Sequence, residues 1–81
     1  MSAPIRPSAK QIQEIARRFT YHAPFGTQAG RYEQIRSMCG QVGQELIKLC
    51  PESRELSVAL TKLDEVVFWA NASIARTEQP E

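Results

Sequence analysis

The side chains best suited to chemistry in this chain are few and lie far apart. The run Phe19-Thr20-Tyr21-His22 sets two aromatic rings beside the single imidazole, where an apolar helical pattern ends. Such a run either caps a helix and closes a core, or offers a platform on which a nucleobase stacks. Base–aromatic stacking contributes about 1–3 kcal/mol per base. Lys62, Trp69 and Arg76 recur at every seventh position and so share one side of a helix. They read either as a solvated stripe with a snorkelling lysine, or as an indole anchor beside a guanidinium able to grip a phosphate with two parallel bonds. Gly40 and Gly43 lie on the side of a helix that also carries Arg36 and Ile47. Each costs about 1 kcal/mol relative to alanine in a helix interior. Their presence means either close helix packing or a shallow recess beside Arg36 that admits a neighbour or a flat ligand.

Catalytic sets are hard to assemble from what remains. A single histidine excludes a two-histidine metal site within one copy, and with Cys39 and Cys50 it falls short of a zinc set. Cys39 sits at a core-facing position and reads as a small apolar residue. Nothing near Cys50 marks it as an activated nucleophile. Asp64-Glu65 reads as a solvated acidic face. With no readable strand, there is no glycine-rich phosphate loop of the strand–loop–helix kind. The expectation is a protein that is not an enzyme and needs no cofactor or metal.

The elements that position these residues follow from the apolar spacing. Pro4 and Pro7 keep the start extended, and Ser8 with Gln11 has the capping-box relation that opens a helix. Ile12, Ile15, Ala16 and Phe19 then follow at helical spacing, giving a short helix over 8–19, with Glu14 four positions before Arg18. Residues 20–30, punctuated by Pro24, Gly26 and Gly30, read as a connector. Over 31–49 the apolar positions are Tyr32, Ile35, Cys39, Val42, Leu46 and Leu49, a heptad seam. Pro51 suits the first turn of a further helix over 51–76. Its seam is Leu56, Leu60, Leu63, Val67, Ala70 and Ile74. Two seams joined by a short link predict an antiparallel helical hairpin. The fold class expected is therefore all-α: a single domain over 1–81, with a short first helix and a long hairpin.

The bulk properties bear on partners. The chain has 81 residues, with 10 Lys+Arg against 9 Asp+Glu and a net charge of +1. That balance argues against a general DNA- or RNA-polymer binder, which carries a basic excess. No apolar run approaches the roughly 18–20 residues a membrane span needs, and no signal-peptide pattern is readable at the start. A cytoplasmic location is the expectation. The hairpin leaves Met38, Ile47, Val58, Phe68 and Trp69 off its internal seam. A fully buried Leu or Phe contributes about 1.5–3 kcal/mol, so leaving several in water forfeits a sum comparable to a small domain's stability. The first helix is too short to cover them all, and association with further copies is the natural resolution.

Certain short motifs add a resemblance. Phe-Thr-Tyr-His-x-Pro, Arg-Tyr-x-x-Ile-Arg, Cys-Pro-x-Ser-Arg-Glu and the ending Leu-Asp-Glu-x-x-x-Trp-Ala-Asn-Ala-x-Ile-Ala-Arg span residues 19–76. Together they resemble the phage anti-CBASS sponge family, whose hairpin is shared with a Thoeris anti-defence protein. The resemblance implies a homohexamer in the cytoplasm of an infected host that holds cyclic di- and trinucleotide immune signals without cleaving them. It implies that Tyr21 stacks on the bases of a cyclic dinucleotide while Arg36 meets its phosphates, in a pocket between subunits. A separate cyclic-trinucleotide pocket would involve His22, Met38 and Arg76, where His22 and Met38 depart from the more polar residues expected. A glycosylated cyclic ADP-ribose ligand is less favoured, because the extra N-terminal domain of Thoeris-type relatives has no counterpart here. The competing reading is a helical protein–protein adaptor with no small ligand.

Overall fold

The computed structural model describes residues 4–78, which form three helices: α1 (Ala9–Phe19), α2 (Gln28–Leu49) and α3 (Arg54–Thr77). The start of α1 follows the expected capping box. The Ser8 hydroxyl accepts from the Gln11 backbone N–H at 3.1 Å, and Gln11 Oε1 accepts from the Ser8 N–H at 2.9 Å. Glu14 then pairs with both Arg17 Nη2 at 2.7 Å and Arg18 Nε at 2.8 Å along the exposed face.

Helix α2 begins earlier than the expected Arg31, and the connector is correspondingly shorter. Gly26 takes φ +56, and the turn closes through a bond from the Gln28 N–H to the Phe25 carbonyl at 3.0 Å. Gly26 is therefore the residue that breaks the chain, since only glycine enters that region without steric cost. Gly30 lies inside the helix. Helix α3 starts later than expected. Pro51 lies before it rather than in its first turn, and Ser53 is the cap, its hydroxyl accepting from the Leu56 N–H at 3.1 Å. Pro51 acts on the residue before it instead: Cys50 is extended, with φ −119 and ψ 140, and α2 stops there.

The two long helices pack antiparallel. Leu56, Leu60, Leu63, Val67, Ala70 and Ile74 of α3 are all half-buried, as their seam requires. On α2 the half-buried residues are Tyr32, Ile35, Cys39, Gly43 and Leu46, whereas Val42 and Leu49 stay 48% and 77% exposed. The seam thus runs through Gly43, not Val42. A glycine carries no apolar side chain to register in a hydrophobic pattern, yet its bare backbone can face a partner helix.

No apolar side chain is fully buried among the described residues. The molecule measures 57 × 43 × 13 Å, with a radius of gyration of 18.4 Å. A compact chain of this length would have a radius near about 12 Å. The hairpin is a single layer of helices, whereas stable domains pack two layers around a core. Helix α1 does not supply the second layer: it buries no residue, and Ile12, Ile15 and Phe19 remain 58%, 55% and 80% exposed. The off-seam residues Met38, Ile47, Val58, Phe68 and Trp69 are exposed as well.

Candidate ligand recesses on the hairpin

The antiparallel arrangement brings the first half of α2 beside the last half of α3, and this is where cationic groups converge. Tyr32 and Arg36 of α2 face Asn71, Ala72, Ala75 and Arg76 of α3 around a recess of about 400 Å³. Two alanines leave the space, and two guanidinium groups flank it. Among the described residues neither Arg36 nor Arg76 takes part in an ion pair. Their charge is available to an anion, and a guanidinium meets a phosphate through two parallel bonds. Asn71 adds an unmet need: its Oδ1 is buried and accepts no hydrogen bond. Unpartnered buried polar atoms are uncommon in folded proteins.

Arg36 also borders a second recess of about 400 Å³, with Gly40, Gly43, Leu60, Asp64 and Phe68 among its lining. A Cβ at Gly40 would meet nothing within 4 Å, and one at Gly43 would sit 3.5 Å from Leu63 Cδ2 and 3.8 Å from Leu60 Cδ2. These are ordinary van der Waals separations, so close packing inside one chain does not account for the glycines. They leave an open hollow beside Arg36. On the far side of α3, Glu65, Phe68, Trp69, Ala72 and Arg76 outline a third recess of about 330 Å³. Trp69 and Arg76 of the heptad stripe share it. Lys62 does not line it, but instead pairs with Glu65 at 3.3 Å.

Tyr21 lies on the extended connector and is 84% exposed; His22 is exposed beside it, and Met38 is 54% exposed. None of the three lines these recesses. Within one chain, then, none of these recesses is shared by Tyr21 and Arg36 or by His22, Met38 and Arg76, whereas Arg36 and Arg76 flank the same space. Phe19 at 80% exposure closes no core, and Thr20 caps α1 by donating its hydroxyl to the Ala16 carbonyl. In the sequence Tyr32 reads as a seam position and Asn71 as part of the closing motif, and neither is expected at a ligand site. The available signal was Asn71 itself, a polar residue next to the seam position Ala70, four after Val67 and three before Ile74.

No group of three or more His, Cys, Asp or Glu that could hold a metal occurs among the described residues. Cys39 is half-buried and Cys50 exposed, both as free thiols. No described helix is long and apolar enough to cross a membrane.

These features define a class: an all-α helical hairpin with open recesses along its faces, one of them flanked by two arginines. Residues 11–75 match the family described as Acb2/Tad1, hairpin domain, and the chain belongs to that family of phage anti-defence proteins. The match takes in the motifs of residues 19–76 up to Ala75, one residue short of Arg76, and reaches back into α1. No curated protein and no solved structure matches the chain.

Proposed function

We propose that this protein is a non-catalytic sponge. In this reading it binds cyclic oligonucleotide immune signals in the cytoplasm of an infected cell, holds them intact, and so starves a CBASS-type defence of its messenger. The observation that carries it is the recess flanked by Arg36 and Arg76, two guanidinium groups without acidic partners among the described residues. Cyclic di- and trinucleotides combine closely spaced phosphates with flat bases, and a binder needs paired cations and stacking surfaces in one place. Family membership supports the anti-defence role.

The working form is a homo-oligomer, a hexamer by family resemblance. A single helical layer with Phe68 and Trp69 at 65% and 69% exposure would gain apolar burial from further copies. Assembly also completes the sites. Tyr21, which lines none of these recesses in its own chain, reaches a cyclic dinucleotide held by Arg36 at a subunit boundary. His22, Met38 and Arg76 likewise compose the trinucleotide pocket across copies. Asn71 offers a buried amide to a base edge or a neighbouring side chain.

The purified protein should show a rise in melting temperature and a calorimetric binding signal with one or more members of a cyclic di- and trinucleotide panel. The ligand recovered after heat denaturation should have unchanged mass. A consumed ligand would replace the sponge with an enzyme. Tyr21→Ala should weaken cyclic-dinucleotide binding by about 1–3 kcal/mol with the helical signal retained. The exposed Phe68 and Trp69 also suit an adaptor, which would give no shift with any nucleotide and a hetero-complex instead.

A further inference from the structure

The one buried polar residue among those described is Gln28, 3% exposed, at the first position of α2. Its bonding explains the burial. Gln28 Oε1 accepts from the Phe25 backbone N–H at 3.2 Å, and Nε2 donates to Glu78 Oε1 at 3.1 Å. The Gln28 N–H donates to the Phe25 carbonyl at 3.0 Å. One residue thus holds both backbone polar groups of Phe25 across the Gly26 turn. Glu78, the residue that caps α3, is gripped by Arg31, with Nη1 2.8 Å from Oε2 and Nη2 2.6 Å from Oε1. Arg31 Nε in turn donates to Thr27 Oγ1 at 3.0 Å. The end of the connector, the first turn of α2 and the cap of α3 are joined in one network. Its two-pronged guanidinium–carboxylate pairing fixes a geometry that a lysine would leave loose.

We infer that Gln28, Arg31 and Glu78 form a positioning clasp, which sets the direction in which the connector bearing Tyr21 leaves the hairpin and holds the ends of α2 and α3 so that Arg36 and Arg76 flank one recess. The part concerning ligand rests on the sponge reading above; the part concerning backbone order does not. The clasp lies beside the recess: Tyr32 follows Arg31, and Arg76 is two residues before Glu78. The hairpin does not depend on it, because the half-buried seam runs the length of α3 from Leu56 to Ile74. The Arg31 and Glu78 side chains are also 38% and 39% exposed, and solvent-screened pairs of that kind add little to global stability. Loss of the clasp therefore acts locally, on helix ends that fray most easily.

The test takes the full chain with Arg31→Ala, Glu78→Ala and both together. Amide hydrogen exchange, thermal melting, and calorimetric titration with cyclic di-adenylate and cyclic tri-adenylate are measured on each. Exchange at Phe25–Gln28 and over Ile74–Glu78 should quicken by up to about fivefold, the upper end for a screened pair. Exchange near Leu46 and Leu60 should not change. Affinity for whichever nucleotide the wild type binds should fall by up to about fivefold. The double variant should match the singles, because all three break the same pair. Unchanged exchange at both ends, uniform quickening along the hairpin, or unchanged affinity in variants of a binding wild type would each overturn the inference. If the wild type binds neither nucleotide, the sponge reading is set back and the exchange pattern alone decides the clasp.

Discussion

Among the described residues, Glu78 and Glu14 are the two carboxylates whose surroundings clearly change their chemistry. Hydrogen bonds from Arg31 and then Gln28 hold Glu78 down to about 2, and those from Arg17 and Arg18 do the same for Glu14. A carboxyl with a folded pKa below its unfolded value binds its proton more tightly when unfolded. Its contribution to stability is therefore complete above the ordinary value of 4.5 and disappears as pH falls toward about 2. Glu78→Gln should exchange its amides over Ile74–Glu78 faster than the wild type at the same pH near neutrality, and the gap should narrow between pH about 5 and about 2. A gap that stays constant through that range would show that the carboxylate charge adds nothing. Arg36 and Arg76 are different in kind, since neither has an acidic partner among the described residues. Their charge is left for whatever enters the recess between them.

At the scale of the helices, α2 is unusual in carrying Gly40 and Gly43 in its middle, each at a cost of about 1 kcal/mol in helix propensity. Within the chain an added methyl at either position meets no short contact. Gly43→Ala should therefore raise the free energy of unfolding by up to about 1 kcal/mol, read from thermal or urea melting. Gly40→Ala should keep or increase the helical signal yet weaken assembly or nucleotide binding, because its methyl projects into the hollow beside Arg36. Lower stability in Gly43→Ala would mean that another backbone approaches α2 closely in the assembled protein. The connector obeys a similar logic, with Gly26 at φ +56 making the turn from which α2 starts.

The whole molecule is a sheet of helices one layer deep, 13 Å in its shortest dimension. Among the described residues its apolar groups are half-buried at best, and Ile5, Leu49, Phe19 and Trp69 stand 95%, 77%, 80% and 69% exposed. In the proposed homo-oligomer, such a chain would draw its stability from its own copies, and folding and association would be linked by mass action. The melting temperature should rise with protein concentration, and native mass measurement should give a multiple of 9.1 kDa. A 9.1 kDa species whose melting is independent of concentration would remove the basis for pockets built between subunits.

The sequence by itself determined the all-α class, the first cap and the α3 seam, because these depend on local chemistry. A serine three residues before a glutamine, and leucines at steps of four and three, act within a turn or two of helix. The family too was legible, since its short motifs lie along the chain in order. The passage of the seam through Gly43 was not legible, nor was the capping of α3 by Ser53 in place of Pro51, because each depends on which of two competing neighbours wins. Sequence alone also did not reveal that Arg36 and Arg76 share a recess, that Asn71 Oδ1 is buried without a partner, or that Glu78 reaches back to Gln28 and Arg31. Those pairs are separated by 40 to 50 positions. Only the antiparallel return of α3 along α2 decides which of them meet.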